Sequence, residues 1–106
     1  MYRDAMQQQS RDPAFLILTS LAAGPRHGYA IVEDVEAFAG VRLGPGTLYG
    51  ALARLEAAGL IAALAADDRR RPYELTVAGA AALGQELEAL DRVTAAARSR
   101  LPVPEG

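Results

Sequence analysis

Arg69-Arg70-Arg71, just ahead of Tyr73, is the densest group of cationic donors in this 106-residue sequence. Tyr29 follows His27-Gly28, and Tyr49 follows Gly46-Thr47-Leu48 with Arg54 one helical turn beyond. Guanidinium groups, phenols and a threonine hydroxyl match the oxygens of phosphates. Other chemistries lack their parts. There is no cysteine, which excludes disulfides, thiolate metal sites and thiol nucleophiles. One histidine cannot build a metal cluster, and a catalytic histidine would need an orienting carboxylate and a nucleophile that are not apparent. The expectation is a non-enzymatic protein without metal or cofactor. His27 reads as a capping or packing residue.

These residues must be held by elements whose outlines the sequence supplies. Asp12-Pro13 starts a first helix, Asp as cap and Pro in the first turn. Residues 14–23 are apolar nearly all round, so that helix should be buried on most sides, ending at Gly24-Pro25-Arg26. A second helix runs from Gly28 or Tyr29 to Phe38. Tyr29, Val32, Val35 and Phe38 form its apolar side, and Glu33, Asp34 and Glu36 its wet side. After a turn at residues 40–45, a third helix is expected over 46–58, stopped by Gly59-Leu60-Ile61. Residues 60–66 and 71–76 flank the polar Asp67-Asp68-Arg69-Arg70 and read as a β-hairpin, with Pro72 on an edge. A long helix follows from Val77 to about Leu101, where Pro102 and Pro104 end it. Met1 to Arg11 is polar and reads as a frayed helix.

A helix followed at once by a basic hairpin is the layout of a winged helix-turn-helix, mainly α with a small β-hairpin wing. Leu48, Leu52 and Leu55 share the buried face of the third helix. Gly46, Tyr49, Gly50 and Ala53 point away, with Thr47 and Arg54 to the sides. An outward face of small residues can seat in the roughly 12 Å wide major groove of DNA. The net charge of −2 argues against nucleic acid, but its distribution does not. From Arg42 to Arg71 five arginines face three carboxylates, a surplus of two that phosphates would feel within a Debye length of roughly 8 Å.

Leu83, Leu87, Leu90, Thr94, Ala97 and Leu101 recur at alternating four- and three-residue spacing on the last helix. A helix of about 24 residues spans roughly 36 Å, longer than so small a body, so its distal half calls for a partner. One structural domain is expected, with residues 1–76 as the DNA-binding part and 77–106 as a dimerisation helix and tail. No apolar run approaches a membrane span, and the N-terminus lacks a signal peptide's apolar core, which reads as cytoplasmic.

The segment from Asp12 to Leu83 resembles the PadR family of bacterial transcriptional regulators. The resemblance is carried by His27-Gly28-Tyr29, Gly46-Thr47-Leu48-Tyr49, Leu52, Arg54-Leu55-Glu56, Gly59-Leu60-Ile61, Arg71, Tyr73, Leu75-Thr76 and Gly79. Gly50 stands where the family often has proline, and Pro72 where it often has an aromatic. The resemblance implies a homodimeric regulator, usually a repressor, on a pseudo-palindromic double-stranded operator. It implies a recognition helix at Gly46–Ala58 and a wing at Ile61–Thr76. The DNA-contacting set is then Tyr29, Gly46, Thr47, Tyr49, Gly50, Arg54, Arg69, Arg70, Arg71 and Tyr73. The dimer set is Phe15, Leu83, Leu87, Leu90, Thr94, Ala97 and Leu101. Some members sense phenolic acids or planar drugs at the dimer interface. A small aromatic effector here would be lined by Phe15, Tyr2, Met6 and Leu87, with no aromatic cage from the last helix. The rival reading is a winged-helix protein-interaction module that does not bind DNA.

Overall fold

A computed structural model describes residues 12–66 and 68–104. The expected frayed helix at the N-terminus, with Tyr2 and Met6, lies outside the described residues. The elements are α1 (Pro13–Leu21), β1 (Arg26–His27), α2 (Gly28–Ala39), α3 (Pro45–Ala57), β2 (Ile61–Ala63), β3 (Pro72–Leu75) and α4 (Val77–Arg100). The fold is a winged helix-turn-helix with a long C-terminal helix.

Helix α1 begins as the sequence indicates: Phe15 N–H donates to Asp12 Oδ2 at 3.1 Å, and Pro13 occupies the first turn. It is buried at Leu16, Ile17, Leu18, Ser20 and Leu21, and it packs on α2, α3, α4 and β3, which makes it the centre of the domain. It is shorter than expected. The N–H groups of Ala22, Ala23 and Gly24 still bond to carbonyls three or four residues back, so the chain leaves through a tightened turn.

The buried face of α2 is Gly28, Ile31, Val32 and Val35. Tyr29 and Phe38 do not join it; Tyr29 is 61% exposed. The cause for Tyr29 is phase, since it lies about 200° from Ile31 at 100° per residue. Phe38 has the right phase but sits in the last turn, past the edge of the core. Gly40 caps α2 in the left-handed conformation, at φ 68°. Val41 and Leu43 then turn inward and close the α2–α3 corner.

Helix α3 buries Leu48, Ala51, Leu52 and Leu55. Its end is a Schellman motif. Leu60 N–H donates to Leu55 O and Gly59 N–H to Glu56 O, each at 3.0 Å, with Gly59 at φ 78°. That reversal aims β2 back across the domain.

The sheet has three strands in the order β1-β3-β2, all antiparallel. The hairpin was expected; β1 was not, because two residues, Arg26 and His27, carry no alternating pattern to detect. Their pairing with Tyr73 and Pro72 makes β3 the central strand. Pro72 is therefore not on an edge. It is tolerated because it is the first residue of its strand, where its carbonyl still accepts from Leu64 N–H at 2.8 Å.

Thr76 joins wing to helix. Its Oγ1 accepts from Gly79 N–H at 3.0 Å, capping α4, and donates to Gly59 O at 2.7 Å. Gly79 is buried directly on Leu60 O, where a Cβ would collide. Beyond that junction α4 extends outward, and the molecule is 56 Å long but only 24–26 Å across.

Candidate nucleic-acid interface

The interface grows from α3. Gly44 and Pro45 set its start, and Leu48 N–H closes the first turn on Gly44 O at 2.9 Å. With its leucines locked inward, the opposite face is forced into solvent. Gly46, Thr47, Tyr49, Ala53 and Arg54 are exposed, and Gly50 is half-buried. A Cβ at Gly50 would stand 3.6 Å from Arg54 Nη1, so the guanidinium folds back along this face over Gly50.

The junction of β1 with α2 brings His27 and Tyr29 to the same edge. Their position depends on Arg26, whose Nε donates to Ser20 O at 3.3 Å and lies 3.9 Å from Asp34 Oδ2. The buried Ser20 hydroxyl donates to the same carboxylate at 2.8 Å. This cluster ties α1, β1 and α2 together. The sequence reading missed it, because three polar residues spaced over 14 positions have no local signature.

His27 is the N-cap residue of α2 by backbone geometry, yet its side chain makes no capping bond. Its Nε2 instead lies 3.2 Å from Arg70 Nη1 on the wing. Of the expected capping or packing role, that corrects the capping half. The wing tip turns through Asp68 and Arg69, both left-handed at φ 51° and 71°, a pattern matched to the right-handed twist of hairpins. The turn sends Arg69, Arg70 and Arg71 into solvent. Among the described residues no ion pair joins Asp68 to these arginines; the described pairs are Arg26–Asp34 and Arg42–Glu36. Arg42 is thus tied to Glu36 at 2.9 Å, and its charge does not add to the wing's.

His27, Gly28, Tyr29, Tyr49, Arg69, Arg70, Arg71 and Tyr73 border one cleft of about 350 Å³. Six of these eight were singled out from the sequence as DNA-contacting. Gly46, Thr47, Gly50 and Arg54 belong to the adjoining face of α3 and do not line the cleft.

The residues assigned to dimerisation divide. Leu83 is 8% exposed and belongs to the protomer's own core. It lies one turn past Gly79, where α4 still rests on the domain, so it is not part of a free seam. Leu87 is 44% exposed, Leu90 is half-buried, and Thr94, Ala97 and Leu101 are exposed. Val93, also exposed, borders this stripe and was not foreseen. Phe15 is half-buried against the core. Of the lining expected for an effector, Phe15 and Leu87 are described, and Tyr2 and Met6 lie outside the described residues. Among the described residues no helix is long and apolar enough to cross a membrane.

Comparison with known proteins places this geometry. Residues 17–85 match the family model of the transcriptional regulator PadR-like family. The chain is 40% identical over 80 residues to the transcriptional regulator Rv3488 of Mycobacterium tuberculosis, covering 73% of this chain and 74% of that protein. It is 48% identical over 86 residues to an uncharacterized 37.1 kDa protein in transposon TN4556 of Streptomyces fradiae. That match covers 81% of this chain but 25% of the relative, so the chain spans a quarter of that protein's length. Among solved structures, a PadR family transcription regulator from Clostridium difficile superimposes with a TM-score of 0.75 at 26% identity, over 84% of this chain and 97% of that one. Family members are transcriptional regulators, not enzymes. With its helix, wing and C-terminal helix in place, this chain belongs to the PadR-like family of transcriptional regulators.

Proposed function

We propose that the chain acts as a homodimer that binds a pseudo-palindromic double-stranded operator and represses transcription. Helix α3 enters the major groove, and Arg69, Arg70 and Arg71 contact the backbone or minor groove beside it. The observation that carries this reading is the continuity of the outward face of α3 with the wing arginines through Tyr49 and the shared cleft. Gly46, Gly50 and Ala53 leave the helix thin enough to seat deeply, and Tyr49, Thr47 and Arg54 supply donors. The apolar stripe of α4 from Leu87 to Leu101 supports the dimer, since its side chains otherwise stay in water. Two-fold pairing would present half-sites about one helical turn, roughly 34–36 Å, apart. A small aromatic effector would act by favouring one spacing of the two α3 helices over another.

The test is selection of bound sites from random duplex DNA, followed by titration at several salt concentrations. If the dimer neutralises on the order of 6–8 phosphates, log K should fall against log salt with a slope of about −5 to −7. Absence of salt-sensitive binding to any selected duplex would favour the protein-interaction module instead.

A further inference from the structure

Three of the four tyrosines, the one histidine and the three wing arginines meet in a single cleft between the start of α2, the outward face of α3 and the wing. We propose that this cleft seats one phosphodiester of the DNA backbone in each half-site, and that His27 is a positioning residue that holds Arg70 over it. The proposal rests on the duplex-binding reading above and assigns His27, which that reading leaves without a role.

The pairing of Arg70 with His27 defines the chemistry. A guanidinium offers only donors, so in this contact the Nε2 of His27, 3.2 Å away, is the acceptor. The histidine is itself held in place. Its backbone pairs with Pro72 in the β1–β3 ladder, and its neighbour Arg26 is anchored to Ser20 O. Arg70 is therefore tethered before any ligand arrives, and less of its rotamer freedom is lost when an anion binds. Tyr49 is held from the other side. A Cβ on Gly28 would stand 3.1 Å from the Tyr49 hydroxyl oxygen, so the missing side chain is what lets the phenol lie across the start of α2.

The donors select the occupant. The cleft is bordered by three guanidinium groups and three phenols, and no carboxylate lines it among the described residues. An apolar planar ligand would leave these donors unpaired. A phosphodiester presents two oxygens that share one negative charge and can accept from several of them at once. Its neighbour is the groove-facing side of α3, which is where a backbone phosphate flanking a major-groove helix must lie.

The experiment is a scan of the selected operator in which each phosphate in turn is replaced by an uncharged methylphosphonate. In the parent protein one position per half-site should lower affinity about tenfold. In Arg70→Ala and Tyr49→Phe the same replacement should cost less than in the parent, because part of the interaction it removes is already missing. Arg70→Ala should also flatten the salt slope, whereas His27→Ala should weaken binding with the slope kept, since it removes no cation. His27→Gln, whose amide oxygen can stand in for Nε2, should restore it. The seat is refuted if no position costs less in both cleft variants than in the parent while the parent still binds with a steep salt slope. A parent without salt-sensitive binding would instead remove the duplex reading itself. A glutamine variant as weak as the alanine variant overturns the role of His27. Inorganic phosphate that binds the protein–operator complex as tightly as the free protein would overturn the seat and assign the cleft to a free phosphate, since the backbone would then leave it open.

Discussion

Gly79 and Gly84 lie on the same helix, and replacing each by alanine separates helix propensity from packing. In an exposed helix interior the change gains about 0.8–1 kcal/mol. At Gly84 a new Cβ meets nothing within 4 Å, so Gly84→Ala should show that gain and raise Tm by about 4 °C. At Gly79 the Cβ would collide with Leu60 O and stand 2.8 Å from Leu75 Cδ1 and 2.9 Å from Leu60 C. Two of these are backbone atoms and cannot rotate aside. Leu60 O also accepts from Thr76 N–H at 3.1 Å, so moving it breaks the bond that joins wing to helix. Overpacking costs about 1–3 kcal/mol and the broken hydrogen bond about 1, against a helix gain of about 1, leaving Gly79→Ala destabilised by about 1–3 kcal/mol. Urea unfolding followed by circular dichroism, at one fixed protein concentration, reads both variants. A Gly79→Ala protein as stable as Gly84→Ala would refute the reasoning, because α4 would then be free to lift off the wing without cost.

Replacing Arg69, Arg70 and Arg71 together by alanine should weaken specific and non-specific duplex alike, and measured salt slopes should fall by about one for each phosphate no longer neutralised. Tyr49→Ala should weaken specific and non-specific duplex alike, as the phosphodiester seat requires; an extra loss on specific duplex, on the order of 1–3 kcal/mol, would mean that the ring touches a base. Leu87→Glu with Leu90→Glu places two charges on the stripe of α4, and sedimentation should then find monomer or unfolded chain that no longer binds operator; a monomeric parent at micromolar concentration would defeat the dimer proposal. Thr76→Ala removes the cap of α4 and should cost about 0.5–2 kcal/mol in the same unfolding assay, with no loss meaning that water replaces the hydroxyl freely.

Local rules were enough for much of this protein. Asp12-Pro13 starts a helix because the two residues satisfy or dispense with the first N–H groups. Leu48, Leu52 and Leu55 repeat at the helical period, so the outward side of α3 was known once its inward side was. Gly59 marks a helix end because the left-handed conformation favours glycine. The wing tip was visible as polar residues between a short apolar run and an alternating one. These are consequences of backbone sterics and of periodicity over a few residues.

What tertiary structure decided depends on residues far apart in sequence. The pairing of Arg26-His27 with Tyr73 and Pro72 creates a third strand and moves Pro72 from a presumed edge to the start of the central one. Periodicity alone continued the α4 stripe back through Leu83; only the seating of Gly79 on Leu60 O turns that first leucine into the core. His27 looked like a cap because it precedes a helix, and its contact with Arg70, 43 residues away, has no local signature. Helix caps and faces follow from neighbours along the chain, whereas a strand two residues long, a buried glycine and a histidine–arginine pair exist only after the wing has folded back onto α2.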